Sequence, residues 1–469
     1  MSAPTTVRSA TRRLVGLTAL RWLPVGLTTP VMVLLALSRG LTLGQVGLLF
    51  TLHALVVLVL ELPTGGLADV LGRRPVIVVG ALLHLASSVV FATADGMPGF
   101  VIGVLLAGIG RTLDSGPLEA WYVDTVHGLA PGADVTPGLA KHSAADGAGL
   151  AVGALAGGFL PGLVTGGGST ALALPFLVAA ALDLAYVAAV LVLLHEVRAP
   201  REGGAAAALL TGAHQVPATV SAAVRLSVGD GPLRTVLLLT AVGGVGLVAC
   251  ELLGPGRFAD LAGGGDDGAA VFGTVLAVSF AAAAVAALAG TTLRRLLHGS
   301  TRAACTALAV LGAAGLAAVA AGHLLLVAVA FAAFYVAHGA AWPLLSNVLH
   351  GRVTAAHRAT AVSAMSLAMA LGGMAGNLTL PWLVRGLGVG GTFVAVAVVT
   401  LLSAALCLRL PSGDEEALLD EPLDDGEHLL GGLGLAQPGT AGEDGQQVAE
   451  PARPVAAGEQ RRAVRVDPA

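Results

Sequence analysis

Long apolar runs alternate with short polar or glycine-rich turns along most of this chain. A helix needs about 20 apolar residues to cross a bilayer, and Gly, Pro or charged residues mark the connections. Twelve such segments are predicted, near residues 14–37, 44–64, 75–94, 98–120, 143–164, 171–194, 233–254, 270–290, 302–321, 323–346, 359–383 and 389–409. No small-residue cleavage site follows the first run, which predicts a transmembrane helix and not a removable signal peptide. The pattern predicts an all-α membrane protein with twelve transmembrane helices.

The longest polar connection divides the predicted spans into two groups of six. It covers residues 195–232, so the first six spans occupy residues 14–194 and the last six occupy residues 233–410. Residues 1–13 form a short N-terminal segment, and residues 411–469 form a tail. From residue 412 onward the tail holds 13 Asp or Glu against 4 Arg. It lacks the apolar residues to bury a core, so we expect it to be disordered.

Positive charge is concentrated on one side of the predicted bundle. With the N-terminus inside, the inner segments hold 15 Lys or Arg and the outer loops hold 3. The inner set is Arg8, Arg12, Arg13, Arg73, Arg74, Lys141, Arg198, Arg201, Arg225, Arg234, Arg294, Arg295, Arg302, Arg352 and Arg358. The outer set is Arg39, Arg257 and Arg385. Because an excess of Lys and Arg marks cytoplasmic loops, both termini are predicted to be cytoplasmic.

The composition excludes an ordinary soluble domain. Of the 469 residues, 55% are hydrophobic and 12% are charged, whereas about a quarter of a soluble domain is charged. Cys250, Cys305 and Cys407 fall in or beside separate apolar runs, so neither a disulfide framework nor a metal cluster is predicted. The glycines of the fifth span lack the strand and acidic residue of a dinucleotide motif. No cofactor, metal or nucleic acid is therefore predicted.

One charged turn interrupts the apolar pattern early in the chain. Residues 65–74 read Gly-Gly-Leu-Ala-Asp-Val-Leu-Gly-Arg-Arg, between the second and third predicted spans. Charged side chains are costly within hydrocarbon, so this turn lies at a membrane face. Its conserved-type positions, Gly65, Asp69, Gly72, Arg73 and Arg74, resemble the signature loop between the second and third helices of the major facilitator superfamily of transporters. The resemblance implies two pseudo-symmetric halves of six helices that work by alternating access.

The arginines of this loop need a carboxylate at the same membrane face. Asp124, at the inner end of the fourth span, is placed to supply one for Arg73 or Arg74. In families that this chain resembles, an Asp/Arg/Asp arrangement latches the inner gate. The resemblance carries that role to Asp69, Arg73 and Asp124. The alternative is a positively charged anchor without a gating role.

The fourth span carries three ionisable side chains. Arg111 lies near its middle, Asp114 follows one turn later, and Glu119 lies nearer the cytoplasm. Ionisable residues within a span usually face a bundle interior or an aqueous cavity and mark a pathway. Arg111 resembles the arginine of the family's fourth-helix motif, which in proton-coupled exporters is linked to proton transfer. The alternative is that Arg111 and Asp114 neutralise each other in a purely structural pair.

Two charges from other spans are expected near Glu119. Arg21 in the first span and Glu61 in the second lie at a comparable depth. A carboxylic acid in such a cluster can load and release a proton as the cavity changes face. The predicted proton carriers are therefore Glu61, Asp114 and Glu119. Less favoured ionisable residues are Asp146, Asp183 and, at a hydrated outer end of the seventh span, Glu251.

The tenth span contributes the predicted substrate contacts. Tyr335, His338 and Trp342 share one helical face by their i, i+3, i+7 spacing, and Asn347 follows on the same span. In the family, spans one, four, seven and ten line the central cavity, which implies substrate contact for these side chains. Interhelical hydrogen bonding and packing is the alternative interpretation.

The first half of the chain indicates the direction of transport through its resemblance to a subgroup. Arg-Trp-Leu-Pro at residues 21–24, Glu-Leu-Pro-Thr-Gly at 61–65 and Ser-Gly-Pro-Leu-Glu-Ala-Trp at 115–121 resemble bacterial drug:proton antiporters. The resemblance implies proton-driven efflux of a small, partly apolar compound by a monomer in the bacterial cytoplasmic membrane. The partners implied are a small-molecule substrate, protons and the lipid bilayer. A proton-coupled nutrient importer is the alternative, and a polytopic membrane enzyme is a remote one.

Overall fold

A computed structural model describes residues 6–65, 67–114, 116–195, 204, 210, 230–353, 358–410 and 412. The first half contains helices α1 Val7–Ser38, α2 Leu43–Gly65, α3 Leu67–Leu71, α4 Arg73–Thr93, α5 Met97–Asp114, α6 Pro117–Leu129, α7 Thr136–Phe159, a 3-10 turn Leu160–Leu163 and α8 Gly168–Leu193. The second half contains α9 Gly231–Val248, a π-helical turn Ala249–Leu253, α10 Gly254–Ala262, α11 Gly265–Leu296, α12 Thr301–Ala318, α13 Leu324–Gly351 and α14 Arg358–Cys407.

These helices make an all-α membrane protein, which confirms the predicted fold class. In the described part of the chain, 11 helical segments are long and apolar enough to cross a bilayer. The last of them, Ala361–Cys407, has 47 residues, whereas about 20 suffice to cross the bilayer once. Gly388 interrupts it with φ 70° and ψ 174°, which divides it into two helices. The last segment therefore counts as two spans, which gives twelve.

Several helices extend beyond their predicted bounds. The first begins at Val7, where Thr6 and Ser9 form a capping box. The fourth span continues to Leu129 as two helices, because Gly116 adopts φ 90° between them. The seventh continues through the π-helical turn to Ala262. The predicted acidic tail, apart from Ser412, and most of the predicted linker lie outside the described residues.

Small residues bring the first and fifth spans into backbone contact. A Cβ placed on Gly153 would clash with the backbone of α1 at Leu23, and one on Gly157 would clash at Leu27. Such glycines let transmembrane helices approach closely enough for dispersion contacts along their length. The two halves meet through α7 against α11 and through α2 against α14.

Two arginines occupy equivalent places in the two halves. Arg39, just after α1, donates to the carbonyl oxygens of Phe91, Ala92 and Ala94 at 2.6–2.7 Å. Arg257, on α10, donates to the carbonyl oxygens of Val319, Ala320 and Ala321 at 2.6–3.2 Å. Each guanidinium thus satisfies carbonyls at the C-terminal end of a neighbouring helix, where a cation is favoured. The shared device relates the first and third spans to the seventh and ninth.

Candidate functional site

A cavity of about 450 Å³ lies among the spans and is lined mainly by the first half. Helices α1, α2, α4, α5 and α8 supply most of its wall, and the second half adds Val248, Glu251 and Asn377. The wall combines aromatic and aliphatic side chains with a few ionisable ones, an arrangement typical of small-molecule sites. The ionisable, polar and aromatic residues of the wall include Arg21, Trp22, Phe50, Phe91, Arg111, Asp114, Phe176, Asp183, Tyr186, Glu251 and Asn377.

A buried ion pair joins the first span to the fourth beside this cavity. Nε of Arg21 on α1 donates to Oδ2 of Asp114, on the last turn of α5. The Asp114 side chain is 1% exposed and the Arg21 side chain 13%. Removal of either side chain would leave an uncompensated charge in the bundle, which strongly lowers the stability of the folded protein.

Arg111 makes a different contact from the one that its spacing suggested. No carboxylate in the described part of the chain lies within salt-bridge distance of its guanidinium, which lies 5.3 Å from the ring centroid of Trp22. Arg21 lies over the same ring at 4.6 Å. Trp22 therefore holds two guanidinium groups by cation–π contact, while Asp114 pairs with Arg21 and not with Arg111.

Glu119 belongs to a second polar chain that links three spans. Its Oε1 lies 2.9 Å from Nε2 of His142 on α7, and Nδ1 of His142 lies 2.6 Å from Oγ1 of Thr18 on α1. Glu119 was predicted from the sequence as a proton carrier, whereas His142 was not predicted as a site residue. Its helix starts at Thr136, about two turns earlier than the predicted fifth span, so His142 lies inside the span and not in a loop.

The signature loop and its neighbours form a network at the end of the bundle where α1 begins, hereafter the inner end. Arg73 Nη2 lies 2.8 Å from Asp124 Oδ2 on α6, and Arg74 donates to the carbonyl oxygen of Leu191. Asp69 lies on the short helix α3. Gly72 has φ 90°, a backbone conformation that favours glycine.

Other side chains tie the same end of the first half together. Arg13 Nη1 donates to the Leu193 carbonyl oxygen at 2.8 Å. Trp121 Nε1 donates to the His195 carbonyl oxygen at 2.8 Å. These bonds join α1 and α6 to the end of α8. Opening the inner end would therefore need either a rigid movement of the whole half or the loss of several bonds.

Glu251 lines the cavity, whereas the sequence pattern predicted it at a hydrated outer end of the seventh span. The seventh span does not end near Glu251 but continues for two turns beyond it as α10. Glu251 lies in the π-helical turn and is an exposed residue of the cavity wall. Single π-helical turns occur frequently at functional sites because they redirect side chains.

The other site residues predicted from the sequence lie in several separate places. Glu61 is exposed and is not part of the cavity wall. His338 and Trp342 line a separate cavity of about 80 Å³ within the second half. Tyr335 is buried in an aromatic cluster with Phe280, Phe331 and Phe334. Asn347 is exposed, and Gly65 ends α2. None of the four predicted substrate contacts of the tenth span lines the larger cavity.

Curated proteins with similar sequences are transporters. The chain is 32% identical over 104 residues to the inner membrane transport protein YajR of Escherichia coli (strain K12). The aligned residues make up 22% of this chain and 23% of that protein. It is also 32% identical over 87 residues to the uncharacterized MFS-type transporter MJ1560 of Methanocaldococcus jannaschii. That alignment covers 19% of this chain and 22% of the other protein. The chain thus aligns with less than a quarter of the length of each relative.

Solved structures share the fold at low sequence identity. A nucleoside transporter, NupG, superposes with a TM-score of 0.66 at 11% identity, covering 85% of this chain and 98% of that one. A peptide transporter, POT, in complex with sulfate superposes with a TM-score of 0.66 at 14% identity, covering 85% and 93%. The sequence model described as Major Facilitator Superfamily matches residues 14–337, well over half of the chain. This chain is a multi-pass membrane transporter that belongs to the Major Facilitator Superfamily.

Proposed function

We propose that this transporter couples the efflux of a small, partly apolar compound to proton entry by alternating access. The observation that carries the proposal is the pairing of a 450 Å³ aromatic-lined cavity with ionisable side chains on the spans around it. Buried charges within a membrane bundle are costly and are retained where they serve a pathway. Here they border the cavity and not the lipid.

The proton is carried by the acids of the first half. Asp114 lies in the cavity wall, and its Oδ2 accepts a hydrogen bond from Arg21. Proton binding at Asp114 would weaken its ion pair with Arg21 and so loosen α1 from α5. Glu119 and Glu61 complete the proposed set of carriers, with His142 and Thr18 providing a hydrogen-bonded route to Glu119.

The gate is the inner-end network. The Arg73–Asp124 ion pair joins the start of α4 to α6, and Asp69 is proposed to complete the latch from α3. Breaking the latch would let the inner end open, whereas its closure favours the outward-facing state. The switch is a two-state movement of packed helices, for which an ion pair supplies a bias of a few kcal/mol at most.

The proposed setting is the bacterial cytoplasmic membrane, with both termini cytoplasmic and the protein acting as a monomer. The one-sided distribution of Lys and Arg supports this orientation. His338 and Trp342, with Tyr335 and Asn347 nearby on α13, remain proposed substrate contacts for a conformation in which the second half faces the cavity. Proton-coupled import is the competing direction.

The test uses the purified full-length protein in proteoliposomes with an internal pH dye and an imposed pH gradient. Lipophilic cations, antibiotics, sugars and amino acids are added in turn. Proton movement opposite to an added partly apolar compound supports efflux by antiport. Proton movement alongside a sugar or an amino acid would replace the proposal with import. Transport of a radiolabelled compound without proton movement would overturn proton coupling.

A further inference from the structure

The cavity of about 450 Å³ is lined by one arginine and one carboxyl group that have no oppositely charged described group at contact distance. Arg111 stacks on Trp22, with no carboxylate within salt-bridge distance in the described chain. Glu251, on the π-helical turn of the seventh span, has no ion pair or hydrogen bond with any described residue. The two groups belong to different halves of the transporter, and both line the same space.

The other carboxylates of the cavity wall have partners. Asp114 accepts a hydrogen bond from Arg21, and Asp183 accepts one from Ser88 at 3.3 Å. Among the Arg, Asp and Glu residues that line the cavity, Arg111 and Glu251 are thus the two with neither an ion pair nor a hydrogen bond to a described residue. An isolated charge in a low-dielectric cavity is costly unless a group of opposite sign reaches it.

Neutral polar atoms of the same wall are also unsatisfied. Oδ1 of Asn377, a residue 5% exposed, has no hydrogen-bond partner among the described residues. Nε1 of Trp22 is likewise without one. Buried polar atoms are normally paired, so the cavity offers one donor and one acceptor in addition to its two ionisable groups.

We infer that the substrate is a small zwitterion with an apolar body, whose carboxylate binds Arg111 and whose ammonium group binds Glu251. The aromatic wall at Phe50, Phe91 and Phe176 contacts the apolar body. This inference deepens the proposed function and relies on it only in taking the cavity as the substrate site. Because the charges lie on opposite halves, such a substrate bridges them, and its binding couples their movement.

The inference is tested by ligand binding to the purified full-length protein in detergent. Four forms of alanyl-phenylalanine serve as probes: the free dipeptide, its N-acetyl form, its C-terminal amide, and the form capped at both ends. Free phenylalanine is a shorter zwitterionic probe. A ligand that binds only the native state raises the unfolding temperature in proportion to the logarithm of its concentration over Kd. We expect at least one zwitterion to bind, and each cap to weaken its binding about tenfold or more, the loss of one charge-assisted contact.

Two substitutions assign each charge. Glu251→Gln should abolish the difference between free and acetylated amino termini while keeping the difference between carboxylate and amide. Arg111→Gln should do the reverse. Arg111→Lys, which keeps the charge, should keep the preference for the carboxylate and covers the case in which Arg111→Gln does not fold. Asp260→Asn on α10 and Arg385→Gln, where the guanidinium stacks on Trp382 at 4.8 Å, are matched controls outside the cavity and should bind like the wild type.

Three outcomes would overturn the inference. They are equal binding of the zwitterion and the doubly capped form, equal binding of the zwitterion and the N-acetyl form, and no binding of either zwitterion at millimolar concentration. The proteoliposome assay separates this from the proposed function. Proton-coupled transport of compounds without two charges would leave efflux standing and the zwitterion rejected. Zwitterion binding without proton movement would do the opposite.

Discussion

Arg73 and Asp124 face each other at 2.8 Å across the inner end of the first half. They belong to different spans, since Arg73 starts α4 and Asp124 lies on α6. The Arg73 side chain is 11% exposed and that of Asp124 28%, so solvent screens the pair only in part. A pair that joins two spans at this place is well situated to bias a conformational equilibrium.

Neutralising either partner of this pair should impair transport more than stability. We expect Arg73→Gln and Asp124→Asn to lower turnover by roughly 5- to 150-fold, the range of common conformational couplings. Their unfolding temperatures should fall less than those of the Arg21 and Asp114 variants, because the Asp124 side chain is 28% exposed whereas that of Asp114 is 1% exposed. The exchanged pair Arg73→Asp with Asp124→Arg should recover part of the turnover, and Arg8→Gln, an exposed arginine of the same end, is the control. Wild-type turnover in both single variants would reduce the pair to an anchor.

The buried pair between Arg21 and Asp114 should behave in the opposite way. Removing one partner leaves an isolated charge in the bundle, which typically costs about 3–5 kcal/mol. We expect Arg21→Gln and Asp114→Asn each to lower the unfolding temperature in detergent strongly, and the double variant to be more stable than either. Additive losses in the double variant would show that the two side chains do not depend on each other.

Glu119 and His142 should act as one unit in the pH dependence of transport. Their 2.9 Å contact is an ion pair only while the imidazole is protonated. The groups nearest to the pair are Thr18, Asp146 and Arg21, which remain unchanged in the variants. We expect Glu119→Gln, His142→Gln and the double variant to share one altered pH profile, measured as the initial transport rate between about pH 5 and 8. Different profiles for the two single variants would show independent roles.

Close packing between the first and fifth spans should be sensitive at Gly157 and insensitive at Gly147. A Cβ at Gly157 would overlap the backbone of Leu27, whereas one at Gly147 would have no neighbour within 4 Å. Both lie on α7, so valine carries the same helix penalty at each. We expect Gly157→Val to cost about 1–3 kcal/mol more than Gly147→Val, the usual price of overpacking, measured by unfolding in detergent. Equal losses would mean that helix propensity, not packing, limits this helix.

Much of the fold could be predicted from the sequence because the membrane restricts the choices. Apolar runs of about 20 residues and one-sided positive charge specify spans and alternation without any knowledge of side-chain contacts. The signature loop likewise indicated which face Arg73 occupies, and therefore that a carboxylate such as Asp124 would be its neighbour. Both conclusions depend on position along the membrane normal, which residue counting gives well.

Counting residues predicts poorly which face a helix turns towards its neighbours and where the helix ends. The geometry of the site depends on both. The partner of Asp114 is Arg21 on another span and not Arg111 on its own, because helix rotation decides which arginine reaches it. Glu251 looked like an end residue because Gly254 and Pro255 follow it, yet the helix continues through a π-helical turn. His142 was overlooked because the fifth span starts earlier than its apolar stretch. A search for ionisable residues within two turns of each predicted end would have included His142.

Proton coupling at the Arg21–Asp114 pair is the central claim and can be measured most directly as protons moved per substrate molecule. The assay compares the wild type with the Arg21→Gln, Asp114→Asn double variant in proteoliposomes, with an internal pH dye and a radiolabelled substrate identified by the panel. We predict that the wild type moves protons against the substrate. The double variant should still exchange labelled for unlabelled substrate but move no protons. Full proton movement with substrate transport in the double variant would contradict the account.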